Sequence, residues 1–271
     1  MITFKRLQRS ARWRLRRFIT GKDEIGLFRL AKGGICYYPI ISEIGRALFF
    51  GEFENNELDY VQRTLQDGDT FLDIGANAGI FTIVASDAVG RTGHVYAYEP
   101  GRREVDLLQL NIRTIRFDNV TVARLGVSDR AEEVDFMISA DGAMNSLKKS
   151  RHPNQEIVSV GKITTTTLTA ILNGIEPRVP RLIKIDTEGA ERQILLPALQ
   201  MLSRARSLKI LFESQDVNNH AYGYTARQFL QELREAGFEI AEIGSNGVIV
   251  HFDKEDERVG RTLYNFVAWP K

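Results

Sequence analysis

Phe71-Leu72-Asp73-Ile74-Gly75-Ala76-Asn77-Ala78-Gly79-Ile80-Phe81-Thr82 runs from apolar residues into an acid, through two glycines four apart, and back into apolar residues. That order predicts a buried strand, a tight loop and a helix. Glycine lets a backbone bend sharply and lets a ligand approach it closely. A second apolar run, Val95-Tyr96-Ala97-Tyr98, ends in Glu99. Strand, glycine loop, helix, strand and terminal acid outline a nucleoside-binding α/β unit, with the acid placed to take two hydrogen bonds from a ribose.

Outward from this unit the pattern alternates. Helices are expected over Glu54 to Leu65, Ile80 to Ala88, Arg102 to Thr114, Leu168 to Asn173, Leu195 to Leu202 and Thr225 to Ala236. Strands are expected over Thr70 to Ile74, Val120 to Val122, Arg181 to Ile185, Leu208 to Phe212, Phe238 to Ile243 and Tyr264 to Trp269. Such alternation implies a mostly parallel sheet with helices on both faces, and the closely spaced late strands supply an antiparallel edge. Residues 25 to 50 read as short strands and turns around Gly26, Gly33-Gly34, Pro39 and Gly45. Residues 131 to 168 read as irregular and β-rich, with a polar centre from Asp141 to Glu156 suited to a mobile substrate loop. The expected division is a basic segment 1–22, a lead-in 23–66 and a catalytic domain 67–271.

The 271 residues suffice for one good core, and no run of eighteen apolar residues spans a membrane. The single cysteine, Cys36, excludes an internal disulfide. His94, His152, His220 and His251 lack zinc-type spacing, so no metal is expected. Residues 1–22 hold eight basic residues and no acid; the total of +1 less those eight leaves −7 for the rest. A mildly acidic body is not built as a sequence-specific nucleic-acid binder. Phe4, Leu7, Ala11, Leu15 and Phe18 share one helical face, with most basic residues opposite and Trp13 on the basic side. Three uses stay open: a solvated surface helix, an amphipathic helix on an anionic membrane, or an organelle transit peptide. The expected location is cytoplasmic, with peripheral attachment at the inner face of a membrane if the second holds.

The loop reads Asp-x-Gly-x-x-x-Gly. The dinucleotide fingerprint Gly-x-Gly-x-x-Gly fails, and no Gly-Lys-Ser/Thr follows for a triphosphate. A pyrophosphate would be repelled by Asp73, whereas a cationic ligand is attracted. S-adenosyl-L-methionine fits: its carboxylate suits backbone N–H groups at the helix N-terminus, its amino-acid portion lies near Asp73, and its ribose hydroxyls donate to Glu99. Asp186 ends a strand at the carboxyl edge of the sheet, where open α/β folds bind ligands. Glu188 and Glu191 are three apart and share a face if a helix begins there, although acids at a helix start are also favoured by the helix dipole.

These residues resemble FkbM-type S-adenosylmethionine-dependent methyltransferases. The resemblance rests on Gly68-Asp69 with Phe71 to Gly79, on Tyr98-Glu99-Pro100, and most specifically on Lys184-Ile185-Asp186-Thr187-Glu188-Gly189-Ala190-Glu191. Gly51-Glu52-Phe53-Glu54, Phe212-Glu213 and Asn265 add to it over residues 45 to 270. Leu168-Thr169 departs from the family's usual Leu-Asp. The resemblance implies an α/β Rossmann-like, seven-stranded class I methyltransferase sheet and methyl transfer, usually to a hydroxyl of a sugar, polyketide or related metabolite. It implies a donor site at Glu54, Asp73, Gly75, Ala76, Asn77, Gly79, Glu99, Pro100, Gly126, Val127 and Asp186.

An alcohol is a poor nucleophile, so a base assists, and Asp186, Glu188, Glu191 and Glu213 are the candidates. The expected partner is a small-molecule or glycan acceptor, its pocket built from residues 25 to 50 and 131 to 168. The rival expectation is a membrane-attached scaffold that kept the fold and lost catalysis.

Overall fold

The computed structural model describes residues 4–21, 24–140, 142–153 and 155–271, with side chains described outside 4–9 and Arg17. The expectations for the side chains of Phe4 and Leu7, and for Lys22 and Asp141, lie outside the described residues. The chain opens with α1 (Phe4–Ile19), the hairpin β1 (Ile25–Arg29) and β2 (Ile35–Pro39), then α2 (Glu43–Phe50) and α3 (Asn55–Thr64). The central unit follows as β3 (Thr70–Ile74), α4 (Ile80–Val89), β4 (His94–Tyr98), α5 (Arg102–Ile112) and β5 (Val120–Ala123). Next come β6 (Gly126–Ser128), β7 (Glu133–Ser139), β8 (Ile157–Thr167) and α6 (Leu168–Gly174). The last part is β9 (Leu182–Ile185), α7 (Glu191–Leu195), α8 (Leu199–Leu202), β10 (Lys209–Glu213), α9 (Asp216–Asn219), α10 (Ala226–Glu235), β11 (Phe238–Ile243), β12 (Ile249–Val250) and β13 (Asn265–Pro270).

The main sheet runs β12-β11-β13-β10-β9-β3-β4-β5. β5, β4, β3, β9 and β10 are mutually parallel, and β13 is antiparallel to both β10 and β11. Without β12, the seven strands lie in the order 3-2-1-4-5-7-6 of their appearance, with the seventh reversed. This is the class I methyltransferase sheet. The two-residue β12 is an eighth, edge strand that the seven-strand expectation lacks. It exists because the turn at Gly244 brings Ile249 back against Ile243.

Both faces of the sheet are covered, which explains why its strands read as apolar runs. All five residues of β3 are buried. Successive side chains point to opposite faces. Phe71 therefore joins Phe81, Val84 and Val61 on one side, while Leu72 joins Leu168, Ile194 and Phe229 on the other.

One expectation is corrected and one is sharpened. Residues 43–50 form α2, not turns around Gly45. Ser42 caps it by accepting from the Gly45 N–H at 2.9 Å. Gly45 is needed for contact: a Cβ there would overlap the Pro39 carbonyl oxygen. Residues 131–168, expected to be irregular and β-rich, are β-rich: β7 and the eleven-residue β8 join β6 in a small sheet, β6-β8-β7, and the irregular part is confined to the stretch between β7 and β8. Its neighbour strands are far apart in sequence, so local pattern carries no sign of the pairing. The segment after β7 is pinned: Met137 and Ser146 exchange backbone hydrogen bonds at 2.8 and 3.1 Å, and Gln155 donates to Met144 and Ser146.

Candidate active site

The strand order reverses between β3 and β9, and open α/β sheets bind ligands at the carboxyl end of such a switch point. The loops leaving those two strands touch. Gly75 has φ 74°, and a Cβ on it would overlap the carbonyl oxygen of Asp186. Only glycine meets both demands. Its N–H and that of Ala76 donate to Tyr98 O at 2.9 and 3.1 Å, fixing the loop to the end of β4.

A cavity of about 220 Å³ opens at this junction. Its walls include Gly75 to Ala78, Glu99, Pro100, Gly126, Val127, Asp186, Glu188 and Glu213. Phe53 and Glu54 close it from the lead-in region, and residues 142–147 close it from the small sheet. Thus Glu54, Gly75, Ala76, Asn77, Glu99, Pro100, Gly126, Val127, Asp186, Glu188 and Glu213 come together as the sequence suggests.

Asp73, Gly79 and Glu191 do not line the cavity. Asp73 is fully buried and accepts from Thr82 Oγ1 at 2.6 Å; its other oxygen has no hydrogen-bond partner and lies 4.0 Å from Lys184 Nζ. Asp73, expected near the amino-acid portion of the donor, is thus set back from the cavity wall and faces Lys184. Gly79 adopts φ 84° where a Cβ would strike Leu108, so it is required for packing of the loop against α5. Glu191 is 1% exposed, and one oxygen accepts from Thr187 N (2.7 Å), Thr187 Oγ1 (2.8 Å) and Gly189 N (3.3 Å). It ties the loop from Thr187 to Gly189 and is set back from the cavity wall. Glu188, inside that loop at φ 58°, accepts instead from Asn218 Nδ2 at 2.6 Å.

Glu99 accepts from Asn77 N at 2.9 Å and Gly101 N at 2.8 Å, one bond per oxygen. A carboxylate oxygen has two lone pairs, so each keeps capacity for a ribose hydroxyl. Asn77, at φ 50°, accepts from Tyr38 Oη at 3.0 Å and donates to Gly142 O at 3.3 Å. It links the hairpin, the glycine loop and the covering segment.

Lys184 is the residue that the sequence reading quoted without a role. It is 5% exposed within an otherwise apolar strand, a charge out of place that signals a buried ion cluster. Its Nζ lies 3.0 Å from Asp186 and 4.8 Å from the Phe81 ring centroid. Burial opposes its charge, but Asp186, Asp73 and Glu54 together raise its pKa. Burial, reinforced by Asp186, pushes Glu54 up to about 8. Burial and then Asp186 also hold Glu188 and Glu213 well above the carboxylate range. Burial brings Glu99 and Glu191 to about 7. Among the described residues no group of three or more His, Cys, Asp or Glu is placed to hold a metal ion.

The residues fit S-adenosylmethionine, a net cation. Glu54, Asp186, Glu188 and Glu213 line one lobe, where among the described residues Lys184 is the single basic side chain, so the lobe has excess acid that a sulfonium and an ammonium would compensate. Val127, Phe136, Ile163 and Pro100 give an apolar wall for a base. Glu99, just past the end of β4, lines the cavity with lone pairs that ribose hydroxyls could reach.

The chain is 32% identical over 76 residues to a probable cobalt-precorrin-6B C(15)-methyltransferase (decarboxylating) of Sulfurisphaera tokodaii; the match spans 28% of the chain and 40% of that relative. Among solved structures it is similar to methyltransferase FkbM from Methylobacillus flagellatus KT (15% identity, 83% of this chain, 54% of that chain, TM-score 0.44). It is also similar to an S-adenosylmethionine-dependent O-methyltransferase from Thermotoga maritima (16% identity, 94% and 80%, TM-score 0.44). The model of the methyltransferase FkbM domain matches residues 73–240, which is more than half of the sequence. On that match the chain belongs to the FkbM methyltransferase family.

Proposed function

We propose that the protein methylates a hydroxyl oxygen of a carbohydrate or small secondary metabolite, with S-adenosylmethionine as donor. The observation that carries this is the acidic lobe beside the glycine loop, in which Asp186 is held at 3.0 Å by buried Lys184. The donor, when bound, supplies a methyl carbon activated by positive sulfur. The chain's residues then have to align and deprotonate the acceptor.

Lys184 fixes one oxygen of Asp186 and leaves the other for the acceptor proton. Asp186 would accept the acceptor's hydroxyl proton at that oxygen, which keeps the nucleophile active while Lys184 holds the carboxylate in place. Glu54, which burial pushes up to about 8, lines the same lobe. Residues 142–147 and Phe53 form part of its wall. The acceptor enters between the lead-in region and the small sheet, whose loops differ from the cofactor motifs in having no shared pattern.

Asp186→Asn tests this. Turnover on a labelled-methyl screen of sugars and metabolites is expected to fall by roughly 10²–10⁴-fold, with donor affinity by calorimetry changing only a few-fold. Unchanged turnover rejects the base. Donor binding without transfer to any acceptor favours the inactive-scaffold reading.

A further inference from the structure

α1 is docked with its apolar face outward. Trp13, 8% exposed, lies 5.1 Å from Phe49 and 6.3 Å from Phe50 between ring centroids. Arg16, one turn on, sits 6.0 Å from the centroids of both Phe28 and Phe49. Attachment thus uses the side that sequence periodicity identifies as basic, because two α2 aromatics offer a ring-lined seat for Trp13 and a guanidinium. At about 100° per residue, Leu15, Phe18 and Ile19 fall opposite Trp13. They are 62%, 90% and 71% exposed. A helix normally buries its apolar stripe and solvates its charges; here the stripe is unpartnered within the described chain.

We propose that this face seats on an anionic lipid bilayer. Arg12 and Arg14, both exposed, fall to either side of the stripe, where phosphate headgroups would meet them. Residues 1–22 hold eight basic residues and no acid, so a second copy packed on this face would set like charges together. A nucleic acid would satisfy the arginines but leave Phe18, Leu15 and Ile19 in water. The remainder of the chain carries −7 and is repelled by an anionic surface, so only this side approaches it. Because Trp13 clamps the helix to α2, lipid contact also fixes the orientation of the catalytic domain. Among the described residues no helix is long and apolar enough to cross a membrane, so the contact is peripheral.

The test is co-sedimentation of the full chain with vesicles of phosphatidylcholine alone and of phosphatidylcholine with phosphatidylglycerol. The wild type is expected to bind the anionic vesicles, more weakly as salt rises. Phe18→Ser/Ile19→Ser is expected to bind them about tenfold or more weakly, with an unchanged thermal midpoint because both side chains are exposed. Equal partitioning of wild type and double variant overturns the proposal, as does absence of binding to anionic vesicles. A dimer seen by ultracentrifugation without vesicles, and dissolved by the same double variant, also overturns it by naming a second copy as the cover.

Discussion

Lys184 donates to Asp186 over 3.0 Å from inside a fully buried strand, while Asp73 waits 4.0 Å away with an oxygen that has no hydrogen-bond partner. One cation therefore serves two carboxylates beneath the cavity. Removing one partner of a buried ion cluster leaves uncompensated charge, which costs more than the pair contributes. Lys184→Met is expected to lose on the order of 3–5 kcal/mol in denaturant unfolding at neutral pH. Part of that loss should return in acid, where Asp73 protonates. A pH-independent loss would mean that packing over Phe81, not charge, is what Lys184 provides.

Gly75→Ala should disrupt donor binding far from any change in charge. The φ of 74° alone disfavours a side chain, and the new methyl would overlap the Asp186 carbonyl, pushing the two loops apart. Strain of this kind costs roughly 1–3 kcal/mol. Gly174→Ala, at a site with no atom within 4 Å of the new Cβ, is the control and should leave both stability and binding intact. Denaturation and calorimetry on the two variants give the comparison.

The acidic lobe makes stability and ligand affinity respond oppositely to pH. Burial raises Glu54 from 4.5 to about 8 and Glu99 and Glu191 from 4.5 to about 7. In that interval the folded chain holds protons that the unfolded chain has released, so stability falls as pH rises. It is fully present below the unfolded values and is lost through the folded ones. The ligand-free melting midpoint should accordingly drop between pH 5 and pH 8.5, values chosen at about the edges of this window. Binding of a cation favours the ionised carboxylates, so S-adenosylmethionine affinity should rise over the same window with proton release. Calorimetry in buffers of different ionisation enthalpy measures that release.

Glu191 distinguishes a positioning role from a base. It accepts three hydrogen bonds from Thr187 and Gly189, all of which a glutamine oxygen can also accept. Glu191→Ala should cost about 1–3 kcal/mol by orphaning buried donors, and should lower turnover by releasing Glu188. Glu191→Gln should recover most of both and leave the pH–rate profile unmoved. A base would not be rescued by glutamine.

The glycine loop, the acid at the end of β4, the alternation of strands and helices and the Asp186 segment are all legible in the chain because each is local. Apolar runs, turn glycines and strand-end acids sit within a few residues of the feature they produce. Gly45 shows the limit. Read locally it is a turn residue, yet it lies inside α2, where the Pro39 carbonyl folded against it leaves no room for a Cβ. The β6-β8-β7 sheet escaped for the same reason, since its register joins residues 126–128 to 165–167.

By itself the sequence determined which residues lie near the donor cavity: order along β3, β4, β9 and β10 places their carboxyl ends on one edge. Tertiary structure decided what each acid does there. Asp73 is engaged by Thr82 of α4 and set back from the cavity, Glu188 is held by Asn218 of α9, and Asp186 is the cavity acid that Lys184 holds by one oxygen. The same holds at α1, where periodicity names two faces and only the ring-lined seat on α2 selects the one that turns inward.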